Sequence, residues 1–352
     1  MASTHLLDLF IEDALPKLET PEALAEFEKI PYHQRIAAQS TYEAISLAAK
    51  RFPDAPALIY HPEGEPDHCE RQLSFSQLRD KVTQMANLLH DLGLQAQEVV
   101  SLLMPLSPES FVALLGAQAA GIASPVNPLL SAAQIGEILR ASHTSVIVLQ
   151  SRERAPEIWD KVHHIKDQVP SLKNLLVMDG PAQDDSTTIS YAQRIESYPS
   201  DRLLSQRQIR SEETASFFHT GGTPGTPKLV RHSQRSYPVG ALSTMYWLGL
   251  KPGDVHVNIS SPGWAKHAWS TFFAPWNAGA TVLMVNQAPF NAKGLLGVLE
   301  RCKVTTFCAP PTVWRLVIQE DLAKYKLSLR EVCGAGEPLN PEVIEQVEQA
   351  WG

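Results

Sequence analysis

Short apolar runs recur along this chain, each followed by a stretch patterned as a helix. Residues 99–104 (VVSLLM), 145–149 (SVIVL), 175–178 (LLVM), 281–285 (TVLMV), 304–308 (VTTFC) and 331–333 (EVC) suit buried strands and are too short for buried helices. After the first run, Ser107-Pro108-Glu109 supplies a hydroxyl N-cap, a proline at the first helical position and an acid in the first turn. The helix it opens (FVALLGAQAA) is expected to stop at Gly121. Pro311 and Asn340-Pro341-Glu342 mark two further helix starts, the second running nearly to Gly352. Strands alternating with helices specify a layered α/β fold. Residues 179–210 are polar and carry no strong strand, so they read as a connection. The expected organisation is an N-terminal extension (1–39), a first α/β subdomain (40–210) and a second (211–352).

Charge removes several function classes. The net charge is -8 and no basic block occurs, so neither nucleic acid nor an anionic membrane has electrostatic support as a partner. A small anionic ligand stays open, because backbone N–H groups bind anions without net positive charge. No apolar run approaches the ~20 residues of a membrane-spanning helix. The acidic N-terminus resembles neither a signal nor a transit peptide, and a cytoplasmic location is expected. Cys69, Cys302, Cys308 and Cys333 lack metal-ligand spacing and read as buried, reduced thiols. His163 and His164 fall in a polar helical stretch and are expected to be exposed.

Residues 215–230 (ASFFHTGGTPGTPKLV) carry the chemistry. An apolar run leads into Thr220, Gly221, Gly222, Thr223, Pro224, Gly225, Thr226, Pro227 and Lys228, then into another apolar run. Three glycines permit positive φ and close backbone approach to a ligand. Successive inward N–H groups, three threonine hydroxyls and one ammonium group are the parts of a polyphosphate cradle. The alternative on composition alone is a Gly/Pro hairpin loop. The stretch is neither a Walker A loop, since Lys228 follows Pro227 and precedes Leu229, nor a dinucleotide fingerprint.

This loop resembles that of the AMP-forming acyl-CoA synthetase, adenylation-domain and luciferase superfamily. Thr220, Gly221, Gly222, Thr223, Gly225, Pro227 and Lys228 match its pattern, and Thr226 fills its variable position. Gly334, Ala335, Gly336, Glu337 and Pro338 resemble the family's adenine-binding turn and lie at the end of an expected strand, where α/β sheets place ligands. The segment holding Trp264, Lys266 and His267 is similar to the substrate-pocket region, and Cys308 to Trp314 to the crossing before the adenine turn. The resemblance thus implies ATP phosphates at Thr220–Lys228, and the acid near Trp264, His267 and Thr312. These three side chains can equally be packing groups. A catalytic histidine is not implied, because an already ionised carboxylate attacks ATP.

The resemblance implies an ATP-, Mg²⁺- and CoA-dependent ligase joining a medium-chain or aromatic carboxylic acid to CoA through an acyl-AMP. Two departures matter. Pro224 replaces a Thr or Ser, removing a hydroxyl and an N–H, so weaker ATP binding than the family norm is expected. The chain also stops before the family's Tyr-Gly-x-Thr-Glu segment, its ribose-binding Asp and its adenylation lysine. A truncated, nearly inactive protein with exposed apolar surface and a tendency to self-associate is therefore expected. A non-catalytic nucleotide- or acyl-binding protein and an adenylation domain serving a carrier protein remain alternatives.

Overall fold

The structure is a computed structural model describing residues 20–31, 36–61, 71–180, 187–220, 228–260, 263, 265–285 and 290–352, with only the backbone at Thr220. Its strands are β1 (Pro56–His61), β2 (Arg71–Ser74), β3 (Val99–Leu103), β4 (Ile122–Pro125), β5 (Thr144–Leu149), β6 (Asn174–Val177) and β7 (Thr188–Ser190). They continue as β8 (Thr214–Thr220), β9 (Lys228–Ser233), β10 (Val255–Asn258), β11 (Thr281–Val285), β12 (Thr306–Ala309) and β13 (Glu331–Gly334). Among the described residues they form two sheets, ordered β7-β6-β5-β3-β4-β8-β9 and β13-β12-β10-β11-β1-β2. All pairings are parallel except β8 with β9 and β1 with β2.

Strand alternation builds the layers. In β5, Val146 and Val148 face one apolar cluster while Ile147 and Leu149 face another. In β11, Val282 and Met284 join the first of these clusters, and Leu283 a third. The shared cluster is therefore sandwiched between the sheets. It is filled by helices Thr41–Arg51, Phe75–Asp91, Pro108–Ala120 and Ser236–Trp247. Helices Ala132–Ala141 and Pro156–Ile165 cover the outer face of the seven-stranded sheet. Helices Ala292–Arg301, Pro311–Val317 and Pro341–Trp351 cover that of the six-stranded one. Strands buried on both faces explain the continuous apolar runs in the sequence.

The local start and stop signals operate as expected. Ser107 caps Pro108–Ala120 with its Oγ accepting from the Ser110 N–H, and Gly121 ends the helix. A Cβ on Gly121 would lie 2.7 Å from the Glu98 carbonyl oxygen. Gly116 lets this helix press against Phe75–Asp91, since a Cβ there would meet Met85 Cβ at 2.7 Å. Helices Pro311–Val317 and Pro341–Trp351 both begin at the proline.

Other expectations change. The two expected units, 40–210 and 211–352, each contribute to both sheets. β1 and β2 lie in the six-stranded sheet, and β8 and β9 complete the seven-stranded one. The polar connection contains the short strand β7. Asn87 holds another part of it, donating to the Pro199 and Arg202 carbonyls and accepting from Leu204 N–H. His163 is half-buried rather than exposed: its ring stacks on Trp159 one turn earlier, with centroids 4.2 Å apart. His164 is exposed. Cys302, Cys308 and Cys333 are free thiols, but only Cys308 is fully buried, and Cys69 lies outside the described residues. Among the described residues no helix is long and apolar enough to cross a membrane.

Candidate functional site

Both sheets present carboxyl ends of parallel strands to one region. In the seven-stranded sheet, β8 runs parallel to β4 and delivers Thr220 to the start of the loop. Lys228 opens β9 directly across from Thr220, with an exposed side chain. Gly221, Gly222, Thr223, Gly225 and Thr226 of the proposed phosphate loop lie outside the described residues, as does Pro224. Just beyond β4, Asn127 packs against Gly263, where a Cβ would come within 3.0 Å of Asn127 Cβ. Gly263 belongs to the segment following β10, so this contact brings the other sheet's carboxyl edge to the loop's sheet.

On that second edge, β10, β12 and β13 are adjacent and parallel. Beyond β13 comes the turn 334–338. Its Ala335 N–H donates to the Ala309 carbonyl at the end of β12. Trp314 Nε1 donates to the Cys333 carbonyl at 3.2 Å, fixing the strand as it enters the turn. Gly336 has φ +112°, a conformation only glycine takes freely, and no atom lies within 4 Å of where its Cβ would stand. Gly334 and Ala335 are half-buried. Gly336, Glu337 and Pro338 are exposed, with Glu337 3.9 Å from Arg315. The turn thus offers an open, backbone-lined shelf. Trp314 itself is buried against Phe307, while Thr312 points to solvent.

Beyond β10 lies a polar cluster that the sequence does not advertise. Asn258 Nδ2 donates to Ser260 Oγ at 3.0 Å and Thr271 Oγ1 at 2.8 Å, and its Oδ1 accepts from Lys266 Nζ at 3.0 Å. Lys266 Nζ also lies 3.5 Å from Cys308 Sγ. Trp264 lies outside the described residues.

His267 is only 3% exposed. Its Nδ1 lies 3.0 Å from the Ser260 carbonyl, which can only accept, so Nδ1 carries the proton. Nε2 is buried and has no partner. Burial, followed by the nearby Lys266 charge, lowers its pKa to about 4. The ring is therefore neutral at physiological pH. It lines a cavity of about 30 Å³ with Leu102, Met104, Phe111, Val126 and Phe272. Such a cavity is large enough for a water and too small for an acyl chain. This environment supports His267 as a wall rather than a proton carrier.

Among the described residues no group of three or more His, Cys, Asp or Glu side chains is placed to hold a metal ion. Mg²⁺ commonly binds through one or two carboxylates together with substrate phosphates, so a dedicated cage is not required.

The sequence matches the AMP-binding enzyme family over residues 45–352. It is 35% identical over 343 residues to the human mitochondrial acyl-coenzyme A synthetase ACSM4, covering 94% of this chain and 57% of that protein. It is 28% identical over 334 residues to the marinolic acid–CoA ligase of Pseudoalteromonas sp. (strain SANK 73390), covering 91% of this chain and 50% of that one. The crystal structure of the anthranilate CoA ligase AuaEII in complex with anthranoyl-AMP superposes with a TM-score of 0.77. That match has 24% identity and covers 88% of this chain and 57% of AuaEII, a likeness of fold. The chain spans about half the length of the curated relatives it matches.

Proposed function

The chain belongs to the AMP-binding enzyme family, and from that membership we propose that it forms the nucleotide- and acid-binding part of an AMP-forming acyl-CoA ligase. In the whole reaction an ionised carboxylate attacks the α-phosphate of ATP, forming acyl-AMP and releasing pyrophosphate. The CoA thiol then attacks the acyl carbon, forming acyl-CoA and releasing AMP. The observation that carries this reading is the meeting of the two carboxyl edges. Thr220 and Lys228 stand at one edge, the turn 334–338 and the segment 258–267 at the other, and Gly263 packs on Asn127 between them.

In this reading ATP lies along that meeting line. Lys228 and the glycine-rich loop hold its phosphates, and Gly334, Ala335, Gly336, Glu337 and Pro338 lie along the adenine. The acid enters near Trp264, His267 and Thr312. Its chain is apolar, of medium length or aromatic, in keeping with the likeness of the segment around Trp264 and His267 to the family's substrate-pocket region. Pro224 keeps ATP affinity below that of a loop with a hydroxyl there.

Calorimetric titration with ATP and AMP tests the placement. A charge-assisted hydrogen bond contributes about 1.5–3 kcal/mol. Lys228→Ala should therefore weaken ATP binding by about 10-fold or more and leave AMP binding within about 2-fold, because the adenine turn is untouched. Equal ATP affinity in both proteins would remove Lys228 from the phosphate site.

A further inference from the structure

The six-stranded sheet sets two cysteines side by side. β12 and β13 are adjacent and parallel, and their register puts Cys308 directly opposite Cys333. Both side chains are on the same face of the sheet. Cys308 belongs to the central apolar layer and Cys333 packs against it, whereas Phe307, one residue earlier, belongs to the outer cluster. Cys302 packs against that outer cluster, across the sheet from the pair.

Neighbouring strands lie ~4.8 Å apart, within the range of about 4.4–6.8 Å between Cα atoms that a disulfide spans. The Cβ atoms of a disulfide stand about 3.5–4.5 Å apart, closer than sheet spacing alone brings them. β13 is placed to supply that movement. It is the last strand of its sheet, and among the described residues β12 is its one strand neighbour.

The two thiols differ in access. Cys308 is 0% exposed, while Cys333 is half-buried and within reach of a small solute. Burial raises the pKa of the Cys308 thiol. Burial, then the neighbouring Cys308 and Glu331, pushes that of Cys333 to about 11. Both therefore rest as protonated thiols. Lys266 Nζ lies 3.5 Å from Cys308 Sγ, where its charge favours a thiolate as one forms.

We propose that Cys308 and Cys333 are a redox-sensitive dithiol, which a disulfide-class oxidant such as glutathione disulfide closes to an inter-strand disulfide. The Cys333 thiolate attacks one sulfur of the oxidant, whose S–S bond breaks. A mixed disulfide forms on Cys333 and one glutathione thiolate leaves. The Cys308 thiolate then attacks the Cys333 sulfur, forming the Cys308–Cys333 bond and releasing the second glutathione. The two cysteine protons end on the two glutathiones, and the two electrons lost by the protein reduce the oxidant. The bridge ties β12 to β13 immediately before the turn 334–338, and a thiol reductant reverses it. This modification site does not depend on the ligase reading.

The test treats the folded full chain with excess glutathione disulfide at mildly alkaline pH, then alkylates, digests without reduction and maps the peptides by mass spectrometry. The expected product is a linked pair of peptides containing Cys308 and Cys333, two hydrogen masses below their sum and separated by dithiothreitol. Cys308→Ser should stop at the mixed disulfide on Cys333. Cys333→Ser should leave Cys308 free of glutathione, because its route runs through Cys333. Thermal melting checks that both variants fold, and the unsubstituted chain decides the matter alone if they do not. In that chain, glutathione held on Cys333 beside a free Cys308, no reaction at Cys333, or a dominant bridge to Cys69 or Cys302 would each overturn the inference. Glutathione on Cys308 in folded Cys333→Ser would overturn the order of steps and with it the proposal.

Discussion

Replacing Trp276 with alanine should lower the unfolding free energy by about 3–5 kcal/mol, the range for deleting a buried aromatic side chain. Trp276 is 2% exposed and sits edge-on to Phe111, with Phe272 packed on another side at 5.3 Å between centroids. Its indole Nε1 donates to the Ala57 carbonyl of β1 at 2.8 Å. The side chain thus links the central helical layer to the six-stranded sheet across a sequence separation of 219 residues. Alanine would remove the packing and orphan a carbonyl. Trp276→Phe would restore most of the apolar volume and still orphan the carbonyl, leaving a residual loss of about 1–3 kcal/mol. Urea unfolding of the three proteins measures both values. A loss below about 1 kcal/mol for the alanine variant would mean the site collapses around the gap.

Mild acid should destabilise the protein before most carboxylates titrate. His219, His256 and His267 each have a pKa lowered from 6.5 to about 4, chiefly by burial. His256 sits between Thr306 Oγ1 and the Ser270 carbonyl, both at 2.8 Å. The carbonyl requires a protonated Nε2, so the neutral ring is already fully bonded. Below pH 6.5 the unfolded chain gains protons at these positions while the folded chain does not. Stability is therefore fully present above about pH 6.5 and falls as the pH drops toward 4. The slope is about 1.4 kcal/mol per pH unit per histidine. Between pH 6.5 and 5 this amounts to roughly 2 kcal/mol for each, a large share of the ~5–15 kcal/mol typical of a folded domain. Urea midpoints measured from pH 7.5 to 5 should fall steeply, and His256→Asn should flatten the curve. Unchanged midpoints across that range would contradict the burial of these rings.

Much of the fold was legible because its signals are local. Val99–Leu103 and Thr144–Leu149 are mostly apolar and buried at every position since both faces of their sheet are covered, and Ser107, Pro108 and Gly121 act within a single turn. The exchange of strands between sheets was not legible. β1 pairs with β11 through Leu58 and Val282, and nothing near either residue encodes that partner. The same limit applies to the site. The glycine-rich loop and the turn 334–338 are contiguous stretches, so they stand out in the sequence as candidates. The Asn258, Lys266 and Cys308 cluster exists only because β10 and β12 are neighbours, so it emerges from sheet order alone. The stacking of His163 on Trp159 did have a sequence signal, their spacing of four on one helix face.

Hydrogen exchange with and without ATP addresses most directly whether one nucleotide spans both carboxyl edges. Saturating ATP should slow exchange in two peptides at once, one covering residues 215–230 and the other 331–339, although they belong to different sheets. AMP should protect the second and leave the first largely unchanged. Protection of only one of the two by ATP, or of neither, would contradict a nucleotide site built where the sheets meet.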